Sequence, residues 1–176
     1  MDSLPRQGTV VYDLIYGTVK QKKRAIKKFR FLNTYIINPL YRIGLLPLLG
    51  FGRIFLLLDT IGRKSSKRRI TPLEYHRISG VIHVISARGD RSDWFRNLQA
   101  NPDKASVKIG FHRLKPKIEV LDDPKEAFEV LKWYVTTHPT LAKYLMGWSK
   151  ETDEPELGIL NPLVDCFRIV KIHETK

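Results

Sequence analysis

The chain has 176 residues, 43% hydrophobic and 28% charged, which is enough for one ordinary core and too little for two. Its 31 Lys and Arg against 18 Asp and Glu leave a formal charge of +13, so its surface attracts anions, whether phosphate groups, nucleic acid or an acidic membrane leaflet. The single cysteine, Cys166, excludes an internal disulfide, and the most apolar stretch, Ile36 to Leu58, is too broken by Pro39, Arg42, Pro47 and Arg53 to span a bilayer.

Basicity is concentrated at the start, where residues 1–53 hold 10 Lys or Arg against 2 Asp. Residues 1–52 are therefore expected to form a basic helical extension with a linker, and 53–176 the folded unit. Met1 to Tyr16 carries Asp2, Arg6 and Asp13 and has no signal-peptide pattern, so a cytoplasmic protein is expected. Across residues 10–36, Val11, Ile15, Thr18, Ile26, Phe29 and Ile36 fall roughly on one helical stripe, which Lys22 interrupts. That helix packs on its own body or lies on an acidic membrane surface, which would put the protein at the inner face of the membrane; a nucleic-acid arm is the weakest reading.

After a Pro- and Gly-punctuated linker from Asn38 to Gly52, Arg53 to Asp59 reads as a buried strand. Arg68 to Arg77 and Val81 to Ala87 read as a hairpin turning at Ser79-Gly80. A short helix fits Asp93 to Ala100, capped by Ser92, with Trp94 and Leu98 facing inward and Pro102 ending it. Alternation of Ala105, Val107, Ile109 and Phe111 with polar or small residues predicts a strand, continued by Ile118 and Val120 after a turn near His112.

Asp123-Pro124-Lys125-Glu126 is a helix start, with an Asp cap, Pro at the first helical position and Glu three residues after the cap. Pro139 breaks that helix, Leu141, Tyr144, Leu145 and Trp148 form a further apolar stripe, Glu151 to Glu156 an acidic loop, and Leu163 to Ile172 a closing strand. Short, hairpin-linked strands favour an antiparallel barrel capped by helices over a parallel sheet, which needs a crossover helix between each strand pair.

The five histidines show no zinc-helix spacing and no cysteine partner, so a metal site is not expected, although His76 and His83 can meet across the hairpin. Gly50-Phe51-Gly52 fails the dinucleotide pattern at Phe55, no Walker loop or nucleophile elbow is present, and Cys166 reads as core. Gly62-Arg63-Lys64-Ser65-Ser66-Lys67-Arg68-Arg69 is different: five cations, two hydroxyls and turn amides lie together between apolar strands. Those are the donors that a phosphate or carboxylate tail needs, although charge alone fits a solvated basic turn as well.

Leu56 to Ser66 followed by Arg69 and Pro72-Leu73, and then Ser86, Gly89 and Asp93-Trp94-Phe95-Arg96-Asn97-Leu98-Gln99-Ala100-Asn101-Pro102, resemble two motifs of the deazaflavin-dependent nitroreductase family in order and register. The similarity covers roughly residues 53–121. It implies an α+β, mainly β fold, a split β-barrel of the flavin-mononucleotide-binding type, holding the deazaflavin coenzyme F420, with FMN as the alternative. It also implies hydride transfer from the reduced cofactor to a quinone, a nitroaromatic or an activated alkene.

Carried onto matching positions, Arg63, Lys64, Ser65, Ser66 and Arg69 would grip the cofactor's phosphate and tail. Pro72, Leu73, Ser86 and Gly89 would line the ring, with Trp94 and Asn97 as buttress, and Glu74, Tyr134, Tyr144 and Trp148 are the candidates for the substrate pocket. Two departures stand out: Ala87-Arg88-Gly89-Asp90 replaces a basic residue and two glycines after the motif serine, and Glu74 replaces an aromatic after Pro-Leu, with Tyr75 on the opposite side of the strand. A homodimer fits such barrels. A deazaflavin carrier without turnover and a basic lipid-surface or nucleic-acid module are the competing functions.

Overall fold

The computed structural model describes residues 3–174 and contains two four-stranded antiparallel sheets with helices packed around them. The first sheet has the order β2-β1-β5-β6, from β1 (Phe55–Ile61), β2 (Arg68–Glu74), β5 (Ser106–Ile109) and β6 (His112–Leu114). The second has the order β3-β4-β8-β7, from β3 (His76–Ile78), β4 (Val81–Ser86), β7 (Lys117–Leu121) and β8 (Arg168–His173). Only Tyr75 separates β2 from β3, so one extended segment passes from sheet to sheet. Its backbone N–H donates to Ile54 O at 3.0 Å and its hydroxyl to Gly52 O at 2.9 Å, which fixes the bend.

Leu56, Leu58 and Val107 of the first sheet and Ile82, Val84, Val170 and Ile172 of the second share one core with Phe95 and Leu98 of α5 (Asp93–Ala100). Burying each such side chain contributes roughly 1.5–3 kcal/mol. A second core packs Leu121 and Ile169 against α6 (Pro124–Thr137), α7 (Pro139–Met146) and α8 (Leu157–Cys166). Local signals place several elements where the sequence predicts them. Ser79 and Gly80 take φ of 49° and 81°, as a two-residue hairpin turn requires, and His76 pairs with His83. Asp123 caps α6 by accepting from Lys125 N at 3.0 Å.

Five expectations are corrected. The helix expected over 10–36 is two helices, α1 (Val10–Ile15) and α2 (Val19–Leu32), running into a π-turn at Asn33–Ile37. Gly17 and a capping box at Thr18, whose N–H donates to Gln21 Oε1 at 2.9 Å, restart the helix. The linker is wound into α3 (Asn38–Arg42), α4 (Leu45–Leu48) and a 3-10 turn at Phe51–Arg53. Tyr41 pins it, donating to Phe55 O at 3.1 Å and accepting from Gly110 N at 2.7 Å.

The first strand begins two residues later than predicted and runs on to Ile61. At the C-terminal end, the apolar run expected as strand from Leu163 is helix up to Cys166, because Leu160, Leu163 and Phe167 recur at helical spacing. Cys166 is half-buried at that helix end, rather than in a strand core.

The extension divides in its packing. Leu4 and Val11 are buried in the second core, and Arg6 pairs with the buried carboxylate of Asp153. By contrast, α2 buries no residue at all.

Candidate functional site

The basic turn is a closed loop. Gly62 N donates to Lys67 O at 2.9 Å, and Ser65 N and Ser66 N donate back to Gly62 O at 3.2 and 2.8 Å. A Cβ on Gly62 would lie 2.8 Å from Ser65 Oγ, so the position is closed to larger residues unless the serine moves. Arg63 turns inward: its backbone N and Nη1 donate to Asn97 Oδ1 at 3.1 and 3.2 Å, and its guanidinium reaches Asp93 Oδ1 at 3.3 Å.

Arg68 leaves the turn altogether, donating from Nε to Asp59 Oδ2 at 2.6 Å on a carboxylate shared with Arg113. Arg69 contacts Ser65 Oγ at 3.4 Å and is otherwise exposed, as are Lys64, Ser66 and Lys67. Two of the five cations thus hold the structure, while Lys64, Lys67 and Arg69 face solvent.

Arg88, two residues beyond β4, is a further cation close to Asp93. It is half-buried with no ion pair among the described residues, and burial lowers its pKa, with Arg96, Arg30 and Arg91 adding to that effect against Asp93. In the sequence Arg88 stands out only as part of the Ala87–Asp90 departure. Its proximity to Asp93, the carboxylate that Arg63 also contacts, was the missing information.

Ser86 and Gly89 come together for a reason of their own. Ser86 Oγ lies 3.0 Å from Gly89 O and 2.6 Å from Ser92 Oγ, and Gly89, at φ 50°, approaches Cys166 O so closely that a Cβ would meet it at 2.3 Å. Gly89 seats the loop against the end of α8, and Ser86 ties the loop together from within. Strand alternation instead turns their neighbours Ile85 and Ala87 into a cavity. Leu73 and Trp94 pack against the inter-sheet core, and Pro72 is buried.

The cavity, about 110 Å³, is lined by Glu74, His76, Ile85, Ala87, Tyr134 and residues of α1 and α7. Burial raises the pKa of the Glu74 carboxyl and, helped by Glu74, that of the Tyr134 hydroxyl. Burial, with His138 and His83 nearby, lowers that of His76 to about 4. Of the four pocket candidates, Glu74 and Tyr134 line this cavity; Tyr144 faces solvent at 63% exposure and Trp148 is sealed in the second core. His76 was overlooked as a pocket residue, although its pairing across the hairpin was legible. A hollow of about 220 Å³ lies beside Arg88, Arg91 and Arg168.

A protein-family model described as F420H(2)-dependent quinone reductase matches residues 48–153, a span that includes the basic turn, Arg88, α5 and the cavity residues Glu74, His76 and Tyr134. Among solved structures, an F420-H2 dependent reductase, FDR-A, is 26% identical, with 69% of this chain and 95% of that one covered at a TM-score of 0.44. A structure described as a domain-swapped dimer is 24% identical over 77% of this chain and 98% of its own, at 0.45. An F420 reductase is 14% identical over 70% and 88%, at 0.42.

Proposed function

Because the chain belongs to the F420H(2)-dependent quinone reductase family, with coenzyme F420 as its cofactor, we propose that it passes a hydride from F420H2 to a quinone in the cavity walled by Glu74, Ala87 and Tyr134. The observation that carries this reading is the separation of charge. Lys64, Lys67 and Arg69 are exposed and Arg88 is without an ion pair among the described residues, whereas the cavity has no lysine or arginine in its wall. A polyanionic tail suits the first, through charge-assisted contacts, and a flat, weakly polar ring the second. Arg88 and Ala87 are consecutive, so one strand end serves both.

In this reading the two sheets are the halves of a split β-barrel, joined by the passages from β2 to β3 and from β6 to β7. Residues 53–176 form the cofactor unit, and 1–52 an arm whose first turns are built into its core. Lys64, Ser65, Ser66, Arg69 and Arg88 hold the tail; Arg63 and Asn97 hold the turn in shape. Pro72 and Leu73 set the strand, and Ser86 and Gly89 the loop, against which the ring lies.

Bound F420H2 supplies the hydride. The protein's part is orientation, exclusion of water and provision of the one proton that a quinone takes up besides the hydride. A ligand site commonly offers about 300 Å³ or more, so entry requires the cover formed by Val11 of α1 and Leu145 of α7 to shift.

The test is a fluorescence titration of the purified protein with oxidised F420 and with FMN. F420 should bind and FMN more weakly, and Arg69→Ala together with Arg88→Ala should weaken F420 at least tenfold. Binding of neither would overturn the reading; binding without menadione-dependent reoxidation would leave a carrier in its place.

The arm supports a second part of the reading, attachment to an acidic membrane surface. Helix α2 carries seven Lys and Arg and no carboxylate, and large apolar side chains of the arm, Phe31, Tyr35, Ile43, Leu48 and Leu49 among them, are exposed. Among the described residues no helix is long and apolar enough to cross a membrane, so the contact is a surface one.

A further inference from the structure

Glu74 and His76 flank Tyr75 at the point where the chain passes from one sheet to the other, and both line the cavity. His76 Nε2 stands 3.5 Å from Glu74 Oε1. The imidazole is packed edge-on against Tyr134 and Trp133 of α6, at centroid distances of 5.1 and 5.6 Å, and tilted against His138 at 4.9 Å. His83 lies opposite it in register on β4.

His138 sits at the joint of α6 and α7, half-buried, and its Nε2 is buried without a hydrogen-bond partner. Among the described residues no group of three His, Cys, Asp or Glu is arranged to hold a metal ion. His76 thus neighbours both Glu74, at 3.5 Å, and the half-buried His138, at a ring distance of 4.9 Å.

We propose that Glu74 is the proton donor of the reductase and that His76, backed by His138, restores its proton from solvent. This rests on the reductase reading above. A quinone that accepts a hydride gains two electrons and one hydrogen and becomes a hydroquinone monoanion. The O–H bond of Glu74 breaks as the hydroquinone's second O–H forms. The carboxylate takes a proton from His76 Nε2, and the other ring nitrogen of His76 gains one from solvent by way of His138, leaving His76 neutral in its other tautomer. Oxidation of F420H2 would also release one proton to solvent, so the overall exchange would be F420H2 and quinone for F420 and hydroquinone. A carboxyl in an apolar wall keeps a proton to give, and neutral imidazoles conduct one without adding charge to the cavity.

Glu74→Gln keeps the shape and removes the proton. It should lower kcat for menadione about 100-fold or more. F420 affinity should stay within twofold, and reduction of 10-methylacridinium, a cation that takes up a hydride and no proton, should persist. In wild type, kcat for menadione should fall as pH rises through one midpoint. The Glu74 carboxyl, followed by 13C NMR in cofactor-free protein, should titrate above the ordinary glutamate value.

Menadione turnover by Glu74→Gln at the wild-type rate, or a Glu74 midpoint at or below the ordinary value, overturns the relay and leaves the reductase standing. Failure of wild type to reduce either acceptor overturns the reductase reading itself. His76→Gln should show the same preference for acridinium over menadione; equal loss on both acceptors would make His76 structural.

Discussion

Gly89 shows how one residue can be both a motif position and a steric necessity. At φ 50° an L side chain is strained by about 1 kcal/mol, and a Cβ would stand 2.3 Å from Cys166 O. Gly89→Ala should therefore cost about 3 kcal/mol in urea unfolding. Should it cost nothing, the loop does not press on α8 as described. His76 gives a pH signature with a definite sign. Its pKa falls from 6.5 to about 4 on folding, so below 6.5 the unfolded chain takes up a proton that the folded protein refuses, and stability falls until about pH 4. The loss is about 3 kcal/mol. It should show as the difference in acid sensitivity between wild type and His76→Gln, and equal sensitivity would place His76 in water. Glu74 acts oppositely: its raised pKa favours folding when protonated, and that contribution is lost as pH rises past the ordinary carboxylate range. Arg63 and Asn97 were legible as motif positions, and the structure joins them by hydrogen bonds; Arg88 was not, because nothing local announces that a guanidinium after a strand will end near Asp93.

Legibility at the level of elements followed locality. The Ser79-Gly80 hairpin and α6 were readable because a left-handed turn pair and an Asp-Pro cap act within four residues. The apolar run from Leu163 was not, since a short run fits a buried strand or a buried helix, and only packing of Leu160 and Leu163 with α6 decides. The helices α2 and α6 are both 14 residues long and differ in what they bury: none in α2, and Val130, Leu131, Tyr134 and Val135 in α6. A helix of that length is marginal by itself in water. Backbone amides of α2 should exchange with deuterium at least 100-fold faster than those of α6, and comparable protection would mean that α2 is covered in solution. The cavity's own cover is a shorter element. Val11→Ala, which removes two methyl groups from α1, should cost about 1–2 kcal/mol of stability while lowering KM for a bulky quinone. A stability loss with unchanged KM would show that the acceptor does not enter past α1.

For the molecule as a whole, charge and apolar exposure lie together on the arm. The seven cations of α2 have no acidic residue within the helix, and Ile43, Leu48 and Leu49, with Phe111 of the β5–β6 turn packed near Gly44, add large apolar side chains that water would otherwise have to cover. Each cation near an anionic leaflet contributes about 1 kcal/mol, and each inserted leucine contributes from burial, so the two terms can be separated experimentally. The full chain should co-sediment with phosphatidylserine vesicles, bind phosphatidylcholine vesicles far less, and lose affinity as salt rises. Leu48→Asp with Leu49→Asp should weaken the acidic-vesicle interaction at least tenfold without changing F420 affinity, because neither residue lines the cavity or the basic turn. A concentration-dependent mass in the absence of vesicles, abolished by the same pair of substitutions, would instead assign the face to a second copy of the chain. Equal binding to both lipids would remove the cations of α2 from the account and leave the apolar side chains as the sole contact.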